Sequence, residues 1–320
     1  MKRIFFLVFA VVMLQVSTSA GRTQTATPTP RLTTVQATQI ATNFCQAVGA
    51  PVSGSATAVF PAPLRYAGEQ DTYFLPRWKV KFAGSSGVQA EVDVVDATSA
   101  VSRYYNFALS RQQLANRQAA GTPLSQAAAI QTATSYLTAA VQPSDIGSAV
   151  AFNMQMTSPA TAAGNLWMVR WTRQYAGIPY RKQQVTEILQ AETGVLQALT
   201  IAFPSSPPTS NATAITQSQA QATAAAQLQM ANVPNPTFQA ANLMVVQPTT
   251  FWQVNGTTKP QPNTGGVIAW NCSYLDANGM TDEVWIDANT GNVIGGESYG
   301  LAGRRLKQAT AKSSKSKTAK

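Results

Sequence analysis

One pattern is written three times along this chain, and it constrains the fold more than any single motif does. Each copy begins with a segment of helical period. TTVQATQIATNFCQAVG sets Val35, Ile40, Ala41, Phe44 and Val48 near one face, with Thr33 and Gln36 at capping-box spacing. TPLSQAAAIQTATSYLTAAV repeats this with Ile130, Ala133, Leu137 and Val141, which points to Thr122 as N-cap and Pro123 as the first helical residue. TQSQAQATAAAQLQM, from Thr216, is the Ala/Gln-rich third version. A strand beginning with an aromatic follows. Trp78–Phe82 and Trp167–Trp171 alternate apolar and polar, the period of a half-buried strand. Val267–Asn271 is the third, with Phe251–Val254 as an additional strand. Each copy closes with a strand running into a turn: Val92–Val101, Ile188–Val195 and Val284–Val293, whose turns open at Asp96, Gln190 and Asp287 at nearly constant interval.

The order implies an α+β architecture of tandem modules, each an N-terminal helix packed on a small antiparallel sheet: 34–107, 120–202 and 214–300. Domains of this size bury only about 60–65% of their unfolded surface. Neighbours are therefore expected to pack together or to continue one another's sheets. FPSSPPTSNAT, 203–213, reads as a linker, and residues 21–33 read as a Thr/Pro-rich leader.

The turn WIDANTGNVIGG looks at first like a calcium loop. Counted from Asp287, however, Gly291 falls where an oxygen ligand belongs, and Ser298 takes the place of the closing acid. The residues suit a chain reversal instead. Asp96 and Asp287 can accept backbone N–H groups, while Gly194 and Gly291 supply a positive φ. In the first copy Ala100 stands in the glycine's place, where a left-handed conformation would cost on the order of 1 kcal/mol. Asp93 and Asp96 are an odd number of residues apart on a strand, and Asp282 and Glu283 are adjacent, so neither pair converges for acid–base work. The chain has no histidine, which removes imidazole catalysis and imidazole metal sites. No catalytic, metal-binding or cofactor-binding residue is assigned.

The ends carry the charge. Met1-Lys2-Arg3, the apolar run Ile4–Leu14 and the small-residue exit Val16–Ala20 have the three parts of a secretory signal peptide, 1–20. Residues 301–320 form a basic tail with Arg304, Arg305, Lys307, Lys312, Lys315, Lys317 and Lys320. Without these ends, the formal charge of +10 falls close to neutrality. The tail is expected to be disordered, with Lys312, Lys315, Lys317 and Lys320 available to polyanions. The body is neutral and its aromatic residues sit at strand spacing, which argues against nucleic-acid binding. Export permits a disulfide between Cys45 and Cys272; two separately buried thiols are the alternative.

The sequence resembles the PepSY family and the related YcdB/YcdC-type repeat domains. The resemblance rests on Trp78–Phe82 with Val95-Asp96, and on Trp167–Trp171 with Gly177-Ile178-Pro179-Tyr180 and Glu192-Thr193-Gly194. It is clearest over Trp285–Val293. It implies PepSY/cystatin-like modules outside the cytoplasm, without catalytic residues, some of which serve as inhibitory propeptides of secreted peptidases. The functional expectation is an exported binding or peptidase-regulatory module whose partner is an extracytoplasmic peptidase or another envelope protein. The alternative is a structural protein held to anionic wall or membrane by its tail.

Overall fold

The computed structural model describes residues 29–50, 52, 54–60, 76–115, 122–155, 165–203, 206–252 and 265–300. The signal segment and the basic tail lie outside the described residues. The chain is an α+β protein with few helices and a mostly antiparallel open sheet of twelve strands.

Helix α1 (Thr34–Ala47) is followed by β1 (Ala56–Val59), β2 (Arg77–Gly84), β3 (Gly87–Val95), β4 (Val101–Asn106) and helix α2 (Phe107–Ala115). Helix α3 (Gln126–Leu137) leads into β5 (Ile146–Gln155), β6 (Asn165–Tyr175), β7 (Ile178–Gln190) and β8 (Leu196–Ala202). Helix α4 (Gln217–Met230) precedes β9 (Thr237–Val246), β10 (Val267–Leu275), β11 (Met280–Asp287) and β12 (Val293–Gly300). No described helix is long and apolar enough to cross a membrane.

The helix starts follow from their caps. Thr33 with Gln36 and Thr216 with Gln219 both form complete capping boxes. The middle helix starts later than its Pro123 suggests. Leu124 N–H is held by the Ala191 carbonyl at 2.8 Å, and Ser125, not Thr122, caps α3 by accepting from Ala128 N–H at 3.2 Å.

Alanines bring the helices close to the sheet. Ala37 and Ala41 of α1, Ala129 and Ala133 of α3, and Ala220 and Ala224 of α4 are all fully buried. Helices α1 and α3 share one core with Trp78, Val80, Val92, Val169, Val185 and Leu189. Helix α4 covers Cys272, Tyr274, Val284 and Ile286. Val35, expected on the inner face of α1, is exposed; α1 buries the face carrying Ala37, Ala41, Phe44 and Cys45. Cys45 and Cys272 lie in these two different cores and are both free, so no disulfide joins them.

Strand pairing continues the sheet across the predicted boundaries. β4 pairs antiparallel with β8 (Tyr104 opposite Leu199), and β7 meets β9 in parallel at Tyr180 and Val245. β7 thus pairs with β6, β8 and β9. The 203–213 segment is tied down near both ends. Ser206 O accepts from Gly266 N–H at 2.9 Å, and Ala214 and Ile215 N–H both reach Ala288 O at 2.9 Å. The strand expected at Phe251–Val254 is a turn at Phe251 and Trp252, and the residues after it lie outside the described ones. Helix α2 and strands β1, β5 and β9 were not foreseen.

Candidate functional site

The turns singled out in the sequence share one geometry. Ser99 N–H donates to Val95 O at 2.9 Å, Gly194 N–H to Gln190 O at 2.8 Å, and Gly291 N–H to Asp287 O at 2.9 Å. These three residues have φ of 59°, 70° and 76°. The left-handed position in the first turn therefore falls on Ser99, not Ala100, one residue earlier than the sequence suggested. Asp96 corresponds to Ala191 and Ala288, not to Gln190 and Asp287.

That shift gives Asp96 a different role. Its carboxylate accepts from Arg31 N–H at 2.7 Å, Leu32 N–H at 2.9 Å and the Trp78 indole at 2.9 Å. Burial pushes the carboxyl up, but these donors, led by Leu32 and Arg31, hold it below its ordinary range. In the other turns, backbone carbonyls do this work. Ala191 O holds Leu124 and Ala288 O holds Ile215, while the indoles of Trp167 and Trp270 donate to Leu124 O at 3.1 Å and Ile215 O at 2.8 Å. Each arrangement fixes the residue just before a helix cap to the sheet. Asp287 accepts from Asn289 and Thr290 N–H at 2.8 and 2.9 Å, so its oxygen Oδ1 is spent inside the turn. Among the described residues, no group of three His, Cys, Asp or Glu side chains is placed to hold a metal ion.

The acid pairs are not brought together. Asp93 lies on the sheet face away from α1, with Arg77 Nε at 3.2 Å, while Asp96 sits in its turn. Asp282 points toward the α4 side, where burial raises its carboxyl and Ser298 holds it by a hydrogen bond. Glu283 points the other way. It sits opposite Glu297 on β12, and Arg181 of β7 reaches across to both carboxylates, with Nε 2.6 Å from Glu283 and NH1 2.6 Å from Glu297. Lys182 also pairs with Glu297, and Tyr299 donates to Glu283 at 2.9 Å. Sequence reasoning missed this ionic clasp; the adjacent Arg181-Lys182 after GIPY was its only local signal.

The edges of the sheet differ in what they offer. β12 is shielded. Thr249 N–H bonds to Ile294 O at 3.0 Å, the Thr249 hydroxyl accepts from Gly296 N–H at 3.2 Å, and the Trp252 indole donates to Glu283 O at 2.8 Å. A Cβ on Gly296 would lie 2.0 Å from Trp252 Nε1, so glycine is required for this cover. β1 is only four residues long. β5 is ten residues long, pairs only with β6 among the described residues, and its sequence, IGSAVAFNMQ, has no charged side chain. Val150 and Phe152 are 51% and 47% exposed on one face, and the exposed Arg170 lies over the Phe152 ring at 5.8 Å. Phe152 opens a cross-strand row running through Met168 and Ile188 to Ala198. On the opposite face α3 packs over β5, and the Gln126 amide reaches Ala151 O at 3.3 Å. Natural edge strands usually carry charges, prolines or covers that block pairing; among the described residues, β5 carries none on its own sequence.

The fold defines an α+β protein with a mostly antiparallel open sheet, in which β5 is a neutral strand paired only with β6 among the described residues. No family model and no curated protein matches the sequence. Among solved structures, the YpeB C-terminal domain of Bacillus megaterium is similar at 13% identity and a TM-score of 0.41, over 84% of this chain and 99% of that one. An uncharacterized protein from Eubacterium rectale is similar at 8% identity and a TM-score of 0.48, over 80% of each chain. Both likenesses are weak.

Proposed function

We propose that this chain is an exported, non-catalytic PepSY-like protein of the cell envelope that binds an extended segment of a partner protein along β5. The finer architecture in this reading is three degenerate tandem copies of one helix-on-sheet module. Support for the copies comes from the recurring Trp strands, the i to i+4 turns and the ties that fix the residue before each helix cap, through the Trp167 and Trp270 indoles directly and through Asp96, which Trp78 also contacts, in the first copy. The signal-like N-terminus supports export.

The observation that carries the binding role is β5: long, neutral, with Val150 and Phe152 exposed, and paired only with β6 among the described residues, beside a shielded β12 and a short β1. An incoming strand gains backbone hydrogen bonds from the edge and side-chain contact from Val150 and Phe152. An inhibitory or regulatory role toward a peptidase is the specific form of this function.

The test is a photo-crosslinking residue at position 150 in the exported full chain, with controls at Val35 and Met230, which are also exposed apolar residues. A discrete adduct with another protein only from position 150, abolished by F152K, is expected. Equal or absent adducts at all three positions would refute the edge as the site. A second reading, retention at an anionic surface, is favoured by the seven basic residues of the tail. Deleting 304–320 abolishes salt-sensitive surface association under that reading and leaves the crosslink intact under the first.

A further inference from the structure

Three places in the sheet are paired alike. Trp78 faces Val94 and Val80 faces Val92; Trp167 faces Leu189 and Val169 faces Glu187; Trp270 faces Ile286 and Cys272 faces Val284. The same position beneath a helix thus holds Val92, Glu187 and Val284, each fully buried. Two of the three are valine, as an apolar core requires. The third is a carboxyl group, and neither of its oxygens has a hydrogen-bond partner among the described residues.

The helix above changes in step. Counted from the caps Thr33 and Ser125, Tyr136 of α3 stands where α1 has Phe44. Tyr136 is the titratable group that faces Glu187 from α3; burial, then the Glu187 charge, pushes its phenol up, while the Leu196 backbone pulls it down. From the flanking strands Glu187 meets Val169 and Leu199, which do not titrate. One strand further, across Leu199, lies Tyr104, itself beside Cys45. None of these groups is a cation.

We propose that Glu187 is a proton-controlled seat for α3: the helix lies closed on β5, β6 and β7 while Glu187 is a neutral acid, and loss of that proton lifts the helix. Burial alone, without a compensating charge, holds the carboxyl well above its ordinary range. The closed state is therefore fully held below the ordinary glutamate range and is lost as pH rises through the raised native value. Where two corresponding positions satisfy the local rule with valine, a carboxyl in the third marks a functional departure from it. Because α3 also grips β5 through Gln126, lifting it would change the proposed binding edge, a consequence that rests on the reading given above.

Hydrogen exchange of the full chain, corrected for intrinsic rates, tests the proposal. The readouts are 126–137 in α3 and 34–47 in α1, the helix over Val92, since Asp282, whose carboxyl is also raised, lies under α4. In the wild type, the α3 opening constant rises tenfold per pH unit above the ordinary glutamate range, the slope of a single linked proton, while α1 stays flat. In E187Q and E187V, α3 follows α1. A wild-type α3 without that slope, the same slope in E187Q, or an E187Q chain that folds at no pH would overturn the proposal. No partner is present in this experiment, so a failed β5 crosslink leaves its outcome unaffected.

Discussion

Replacing Arg181 with methionine tests the ionic clasp between β7 and the β11–β12 pair. Met matches much of the Arg stem but leaves Glu283 and Glu297 facing each other without the guanidinium that bridges them. All three side chains are at least nine-tenths buried. Removing one member of such a buried set costs about 3–5 kcal/mol; Lys182, half exposed, still pairs with Glu297 and Tyr299 still donates to Glu283, which puts this case at the lower end. The Arg181 guanidinium also lies 5.5 Å from the Trp285 ring centre, a contact worth roughly 0.5–2 kcal/mol. The expected loss is thus about 4 kcal/mol at neutral pH, read by urea unfolding with tryptophan fluorescence. The neutral triple variant, R181M with E283Q and E297Q, should recover most of that loss, since replacing all members of a buried ionic group is often nearly neutral. A loss below about 1 kcal/mol, the worth of a solvent-exposed pair, would refute the reasoning. So would a triple variant no more stable than R181M.

Three further outcomes are expected. E187V should match the wild type in stability near pH 4 and exceed it by about 1.4 kcal/mol more per pH unit above that, until Glu187 ionises in the native state; urea titrations at several pH values measure this. S99G should stabilise by up to about 1 kcal/mol in the same assay and A100G should not, whereas G291A should cost about 1–2 kcal/mol by forcing a Cβ into the left-handed region. Burial pushes both thiols up to about 12, so Cys45 and Cys272 should resist iodoacetamide at pH 8 and react fully after unfolding without reductant. A requirement for reductant would reinstate a disulfide.

The periodic elements were legible because one-sided burial imprints a period on the sequence. Trp167–Trp171 falls within β6 for that reason; Trp78–Phe82 falls within β2, but Arg77 and Lys79 on its other face are buried as well, paired with Asp93 and Glu91, so that strand is not half-buried as expected. The Thr33 cap was readable from the glutamine three residues on. Strand β5 carries the proposed site; a 3-10 turn at Pro143–Asp145 precedes it, but IGSAVAFNMQ lacks the apolar–charged alternation by which Trp78–Phe82 was read. The Asp96 misalignment had a similar origin: an aspartate before a threonine looks alike whether it opens a turn or, as here, reaches back to Arg31 and Leu32. The clasp of Arg181 with Glu283 and Glu297 was illegible because its partners lie about a hundred residues apart in the chain and meet only through the parallel contact of β7 with β9. Glu187 could have been noticed by aligning the copies, since it replaces a valine; the one-residue slip in the first copy hid the match.

The Thr249 cover over β12 also sets what kind of assembly this protein can join. Open β-sheets invite end-to-end stacking into fibres, each newcomer presenting a fresh rim to the next. Here the β12 rim is plugged by the protein's own backbone, and β5 branches off to one side of the sheet. Under the proposed strand-binding role, recruitment at such a branch would saturate after a single guest, giving a one-to-one complex in place of open-ended growth.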